Sequence, residues 1–242
     1  MVQLSESART MTEEQTESDY DYVLFTKHTE LVGPDLLEDV LSILAQQNDE
    51  AAKNPGEHLD YLSPRGTVEM LFEACAKLRL PLCVQFTAVE YLDRFLLQHV
   101  RDVRQEMGVP ACVRPANGAV GWDSVKARLG DQVPLRILSC IQIASKMFSS
   151  VKGVSSVEIQ DVLRRIGYIY TCNGIVRSEL RVLNTLNFRL NLPSPLVFVE
   201  VLLDVIGHNE SSFEPKDLYP VVLSILQGYY LVRQKVHERA VG

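Results

Sequence analysis

Apolar residues recur at intervals of three or four positions along most of the chain, which predicts α-helices rather than strands. The first such segment, 34–54, is expected to form one amphipathic helix that ends at the Asn-Pro-Gly run beginning at Asn54. A second helix is predicted from Ser63, as the N-cap, to about residue 80. A third is predicted over about 84–99, again with one apolar face.

The middle of the chain contains two segments whose residue patterns differ from the preceding helices. Segment 108–134 contains four glycines and three prolines, which predicts an insertion loop with no more than a helical turn around 122–129. Segment 135–148 is apolar on nearly all sides, as in a helix that other helices surround. We therefore expect 135–148 to be the central helix of the fold.

Two further helices are predicted from their start signals. Ser155 and Glu158 have the spacing of a capping box, which predicts a helix after Ser155. Asn173 is the expected cap of the next helix, in which Val176 and Leu180 are expected to face inward with the other apolar residues.

The last part of the chain predicts a helix that begins at Pro195, with Ser194 as its cap, and a final helix over about 217–238. The final helix has a continuous apolar face, which must be covered to avoid exposure to water. We expect this helix to pack back on the preceding ones, with a separate partner as the alternative.

Charge and composition narrow the functional classes. The chain has 242 residues, 46% of them hydrophobic, which is enough for one sizeable core. Six acidic residues fall within the first 21 positions, so 1–33 is predicted to be an acidic, disordered tail. The formal net charge of −7 disfavours direct nucleic-acid binding, which usually requires a basic face.

The cysteines and the apolar runs bear on location. Five cysteines at wide spacings are typical of reduced thiols, and no secretory signal begins the sequence, so we expect a protein of the cell interior. The longest uncharged run, 218–232, is shorter than the roughly 20 residues that cross a bilayer. No membrane association is expected.

The sequence has none of the short motifs that mark common catalytic or metal sites. A phosphate-binding loop, a zinc-binding His-Glu-x-x-His run and a nucleophile elbow are all missing, and the five histidines are scattered. We therefore expect no enzymatic activity, no catalytic residues, no cofactor and no metal.

The sequence resembles the cyclin-box family. Three short runs carry this resemblance, in the family's order: Val89 to Leu96 (VEYLDRFL), Ala144-Ser145-Lys146, and Glu179 followed by Leu183, Leu186, Phe188 and Pro193-Ser194-Pro195. The runs Leu44 to Asn48 and Leu186 to Pro193, with the predicted insertion, are similar to a divergent branch of the family that is associated with meiotic crossover formation.

The resemblance implies an all-α fold, a five-helix cyclin box around a central helix. The box would span 60–192 with the insertion 108–134, after the tail 1–33 and the helix 34–54. A complete second box would need about 90 residues, the size of a small domain. Only 50 residues follow position 192, so 193–242 is expected to be an incomplete second cyclin-like box.

The resemblance also assigns roles to four charged residues. Arg65 and Asp93 match a pair that is buried and structural in cyclins, and burial favours such a pairing because an isolated charge would be costly. Lys146 and Glu179 match the residues with which cyclins hydrogen-bond a partner kinase, the alternative being a salt bridge within the chain. The acidic residues that usually follow this lysine are replaced here by the run 147–150 (MFSS).

These observations lead to one function and two alternatives. The expected function is a non-catalytic scaffold that binds meiotic recombination and cell-cycle proteins and promotes crossover formation, located in the nucleus on meiotic chromosomes and also in the cytoplasm. One alternative is a regulatory subunit that binds and activates a cyclin-dependent kinase. The other is a box that binds nucleic acid, as general transcription factors of similar fold do, which the net charge of −7 disfavours.

Overall fold

A computed structural model describes most of the chain, namely residues 34–52, 64–106, 122–148, 152–191, 194–210 and 214–241. Within these residues every regular element is an α-helix, which confirms the all-α prediction. The helices are α1 (Pro34–Ala52), α2 (Arg65–Lys77), α3 (Leu82–Glu106), α4 (Trp122–Met147), α5 (Ser156–Arg165), α6 (Cys172–Thr185), α7 (Pro195–Asn209) and α8 (Pro215–Val241).

Helix α4 is the centre of the fold, as the apolar segment 135–148 predicts. It packs against α2, α3, α5 and α6, and every side chain from Leu135 to Ser145 is buried. An element with neighbours on four sides has little surface left for water, which explains why its apolar positions do not form a single stripe.

The start of α5 follows the predicted capping box. The backbone N–H of Glu158 donates to Ser155 Oγ at 3.3 Å, and the backbone N–H of Ser155 donates to Glu158 Oε2 at 2.8 Å. Two N–H groups at the helix start are thereby satisfied. The carboxylate's hydrogen bonds with Ser155 are also the main reason why the pKa of Glu158 is lowered.

The predicted cap of α6 is two residues too late. Thr171, not Asn173, has the extended backbone of an N-cap, and its Oγ1 accepts a hydrogen bond from the N–H of Gly174 at 3.1 Å. Threonine and asparagine are both good N-cap residues, so residue type alone does not choose between them.

The predicted insertion loop 108–134 is wrong in its second half, because α4 begins at Trp122 and continues through Pro134. Proline and glycine disfavour the interior of a helix, but tertiary packing can offset that cost. Leu129, in the early part of α4, packs against Val100 near the end of α3. Residues 107–121 lie outside the described residues.

The C-terminal helices pack onto the rest of the molecule, as expected for the final helix. Helix α7 begins at Pro195, as predicted, and packs against both α1 and α8. Helix α8 also packs against α2, and its Tyr219, Leu223, Leu226 and Tyr230 belong to the main core. The division of the chain into a complete and an incomplete box stays a prediction.

Candidate protein-binding site

Lys146 and Glu179 lie side by side across two helices. Lys146 is in the last turn of α4 and Glu179 is in the middle of α6, and Lys146 Nζ lies 2.5 Å from Glu179 Oε1. The lysine side chain is 47% exposed and the glutamate side chain 13% exposed. The structure therefore brings the predicted pair together as a salt bridge within the chain, at the edge of solvent.

The serine before Lys146 fixes the loop that passes beside it. Ser145 Oγ accepts a hydrogen bond from the N–H of Val154 at 2.9 Å and donates one to the carbonyl of Gln142 at 2.8 Å. A Cβ atom placed on Gly153 would lie 3.2 Å from Lys146 Cγ, which is a tight contact. Glycine at 153 therefore lets the loop backbone run against the lysine stem.

Exposed apolar side chains are also found on α4, on α6 and just after α6. Met147, next to Lys146, is 41% exposed, and on α6 Val176 and Leu180 are 41% and 49% exposed. Phe188, just after α6, is 62% exposed and has a positive φ of 55°, which is rare for a bulky residue. Met147 follows Lys146 in the chain, Leu180 follows Glu179, and Val176 lies one turn before Glu179. We call Met147, Val176 and Leu180, together with the Lys146–Glu179 pair, the α4–α6 face.

The prediction that Val176 and Leu180 face inward is therefore wrong. The apolar positions of α6 are spread over more of the helix circumference than its core-facing side can cover. Ile175 and Val182 are buried, whereas Val176 and Leu180 lie about 100° and 140° around the helix from Ile175. This excess of apolar positions can be read from the sequence, and it indicates that some of them are exposed.

The predicted buried pair of Arg65 and Asp93 is not formed. Arg65, the first residue of α2, is 59% exposed at its side chain and pairs with Glu69 one turn later, with Nε 2.7 Å from Oε1. Asp93 forms an ion pair with Arg233 of α8 instead, and both of these side chains are almost completely buried. The buried cation thus comes from the C-terminal helix.

Arg233 belongs to a larger cluster between α3 and α8. The Tyr230 hydroxyl donates to Glu90 Oε1 at 2.7 Å, and the Tyr230 ring stacks on Phe86 with centroids 5.2 Å apart. The Arg233 guanidinium lies 5.0 Å from the centroid of the Tyr230 ring. We call Phe86, Glu90, Asp93, Tyr230 and Arg233 the α3–α8 cluster.

Burial raises the pKa of Glu90 in this cluster, and the nearby negative charge of Asp93 raises it further. The hydrogen bond from Tyr230 and the charge of Arg233 act in the opposite direction. Because its groups are bonded to one another and Phe86, Asp93, Tyr230 and Arg233 are buried, the α3–α8 cluster holds the fold together and offers little to a partner.

The described residues contain no group of three or more side chains suited to hold a metal ion. Burial raises the pKa of the Cys75 and Cys140 thiols far above the usual range, so neither is a nucleophile at neutral pH. None of the helices in the described parts of the chain is both long enough and apolar enough to cross a membrane.

Comparison with known proteins gives two curated relatives. The chain is 32% identical over 211 residues to Cyclin N-terminal domain-containing protein 1 of Homo sapiens, and this match covers 86% of the chain and 63% of the relative. It is 31% identical over 221 residues to the protein of the same name from Mus musculus, covering 91% of the chain and 64% of the relative. The chain thus spans somewhat less than two thirds of the length of these relatives.

No protein-family profile matches the chain, and no solved structure matches it.

Proposed function

We propose that the chain is a cyclin-like, non-catalytic scaffold that promotes crossover formation in meiotic recombination by binding other proteins, because it is similar to Cyclin N-terminal domain-containing protein 1 of two mammals. The observation that carries the binding role is the α4–α6 face, where exposed apolar residues adjoin a partly exposed charged pair in the helices. The meiotic role rests on the resemblance of the sequence to the meiosis-associated branch of the cyclin family.

The α4–α6 face has the composition of a protein interface. Such interfaces combine apolar and aromatic anchors with a few polar groups that fix orientation. Met147 and Leu180 supply exposed apolar surface, while Lys146 and Glu179 supply one cationic donor and one anionic acceptor. Both charged residues are on packed helices, so their positions are set before a partner arrives.

The salt bridge within the chain does not prevent this role. A partly exposed ion pair contributes roughly 0 to 1 kcal/mol to stability, because water competes for both charges. A partner that offers a carboxylate to Lys146 and a donor to Glu179 would replace one hydrogen-bonded arrangement by another at little cost. The pair is thus a switchable contact rather than a fixed part of the core.

The expected partners are recombination and cell-cycle proteins in the nucleus, on meiotic chromosomes, with the cytoplasm as a second location. The net charge of −7 supports protein partners over a direct nucleic-acid partner, because a basic surface would be needed to follow phosphates. DNA affinity that falls steeply with salt would contradict this choice of partner.

The binding role is tested by capture from meiotic germ cells. The tagged chain, the Lys146→Ala/Glu179→Ala variant and the Arg65→Ala variant are compared by quantitative mass spectrometry. Recombination and cell-cycle proteins are expected with the wild type and the Arg65 control and to be depleted with the double variant. Normal crossover numbers in animals that lack the gene would overturn the meiotic role.

A second candidate is a regulatory subunit that binds and activates a cyclin-dependent kinase. It is favoured by the placement of Lys146 beside Glu179, since these match the residues with which cyclins hold a kinase. The loss of acidic residues after Lys146, where Met147 and Phe148 stand, counts against it. Kinase activity that rises on adding the purified chain, and not on adding the double variant, would support this candidate.

A further inference from the structure

Helix α8 has a second apolar side, separate from the one that packs on the core. Five aliphatic residues on it are 39% to 66% exposed, at spacings of three, four or seven positions. We call them the outer stripe: Leu218, Val221, Ile225, Val232 and Val236.

The outer stripe is straight and long. At 100° per residue its members fall within an arc of about 60°, and the 18 steps from Leu218 to Val236 span about 27 Å along the helix. The buried Tyr219, Leu223, Leu226 and Tyr230 lie on a different side of α8. Spacing of this kind, sustained over five turns, is what a second helix requires for side-by-side packing.

The residues beside the stripe differ in charge between its two ends. Positions 217 and 235 lie on the same edge of α8, 18 residues apart, because 18 residues complete five turns. The first is an aspartate and the second a lysine. In two copies of α8 packed antiparallel, position 217 of each would face position 235 of the other, which pairs opposite charges twice. In a parallel two-fold pairing the edges that carry 217 and 235 would lie on opposite sides of the interface, so neither opposite-charge pair would form.

Gly228 lies on this same edge, close to the midpoint between positions 217 and 235. A Cβ atom placed there would meet no atom within 4 Å, so no contact within the chain requires glycine at this position. Glycine in a helix interior is unfavourable relative to alanine. At the crossing point of two helices, however, a missing side chain lets the backbones approach closely.

We propose that the chain forms a homodimer in which two copies of α8 pack antiparallel through their outer stripes. A two-fold axis near residue 226 sets position 217 of each copy opposite position 235 of the other. One contact patch then serves both chains, as in most symmetric dimers. The dimer carries two α4–α6 faces and can bind two partners at once.

A stripe of about 27 Å on each chain gives an interface at the small end of the range for specific complexes. The dimer is therefore expected to dissociate on dilution. Sedimentation equilibrium of the full chain over a wide range of concentration should show an average mass that rises from one chain toward two. A mass of one chain at every concentration would overturn the proposal.

Ile225, the most exposed member of the outer stripe, is the best position to disrupt it. Ile225→Lys places a charge twice in the interface and is expected to raise the dissociation constant roughly a hundredfold or more. Ile169→Lys is the matched control, because Ile169 is 93% exposed and lies outside α8. Equal dimerisation of the two variants, both folded by circular dichroism, would overturn the proposal.

The antiparallel order is tested by exchanging the two charges. Asp217→Lys and Lys235→Asp should each raise the dissociation constant about threefold to tenfold, because each change creates two like-charge contacts per dimer. The combined variant should recover the wild-type constant. Single variants that weaken the dimer, with no recovery in the combination, would overturn the antiparallel arrangement.

Discussion

The α3–α8 cluster and the α4–α6 face both join a carboxylate to a cation from a different helix, yet their surroundings differ. The Asp93 and Arg233 side chains are 11% and 5% exposed, whereas the Lys146 side chain is 47% exposed. A buried charge depends on its partner, since water cannot replace it. Breaking an exposed pair costs little free energy, because water solvates both charges. The first pair therefore fixes the fold, and the second is free to serve recognition.

The largest expected effect in this comparison is that of Arg233→Ala. Removing the guanidinium leaves Asp93 buried without its cation, and breaking a buried pair in this way costs about 3 to 5 kcal/mol of unfolding free energy. Urea unfolding at neutral pH measures this loss. A loss below about 1 kcal/mol, within the range of exposed pairs, would show that the buried pair does not hold α8 in place.

Tyr230→Phe should have a smaller effect, about 1 to 2 kcal/mol. The ring still stacks on Phe86, but Glu90 loses the hydroxyl that donates to it, and an unsatisfied partly buried acceptor is costly. The same urea experiment tests it. If Tyr230→Phe lowered the free energy of unfolding as much as Arg233→Ala does, the tyrosine hydroxyl would make the main contribution of this cluster to stability.

Glu90→Gln tests the electrostatics of the cluster through pH. The pKa of Glu90 is raised in the folded protein, so its contribution to stability is fully present below the unfolded pKa and is lost as pH rises through the folded pKa. Glutamine can still accept from Tyr230 and does not ionise. The variant should therefore gain stability relative to the wild type as pH rises from acid to neutral.

This gain is measured as the difference in unfolding free energy between the two proteins at each pH, which cancels the titration of other groups. A difference that is constant across the acid range, or that falls as pH rises, would contradict the raised pKa.

Lys146→Ala should change stability by no more than about 1 kcal/mol, because the pair is partly exposed. Its effect should appear instead in partner capture. Arg65→Ala breaks an exposed pair between residues one helical turn apart. It should lower the free energy of unfolding by about 0.5 kcal/mol or less and leave partner capture unchanged. A large loss of stability in either variant, measured by urea unfolding, would remove the contrast between the two regions.

The sequence predicted most helices because their signals are local. The capping box of Ser155 and Glu158 and the Ser194-Pro195 start are set by residues within a turn of one another. The early part of α4 was missed for the converse reason. Glycine and proline dominate the local signal of 122–134, while the packing of Leu129 on Val100 depends on a separate helix.

The site was predicted in part. Lys146 and Glu179 are neighbours, as the resemblance to cyclins implies, because α4 and α6 pack together. The cation beside Asp93 could not be found from local pattern, since Arg233 is 140 residues away in the chain and meets Asp93 only after α8 has packed. The resemblance pointed to Arg65 instead, which Glu69 holds in solvent.

The central claim is that the α4–α6 face binds partners independently of the fold. Partner capture from meiotic germ cells by the Lys146→Ala/Glu179→Ala variant tests it most directly, once urea unfolding has shown that the variant remains folded. We predict that recombination and cell-cycle proteins are depleted from the folded double variant and retained by Arg65→Ala. Retention of the same proteins by the folded double variant would contradict the claim.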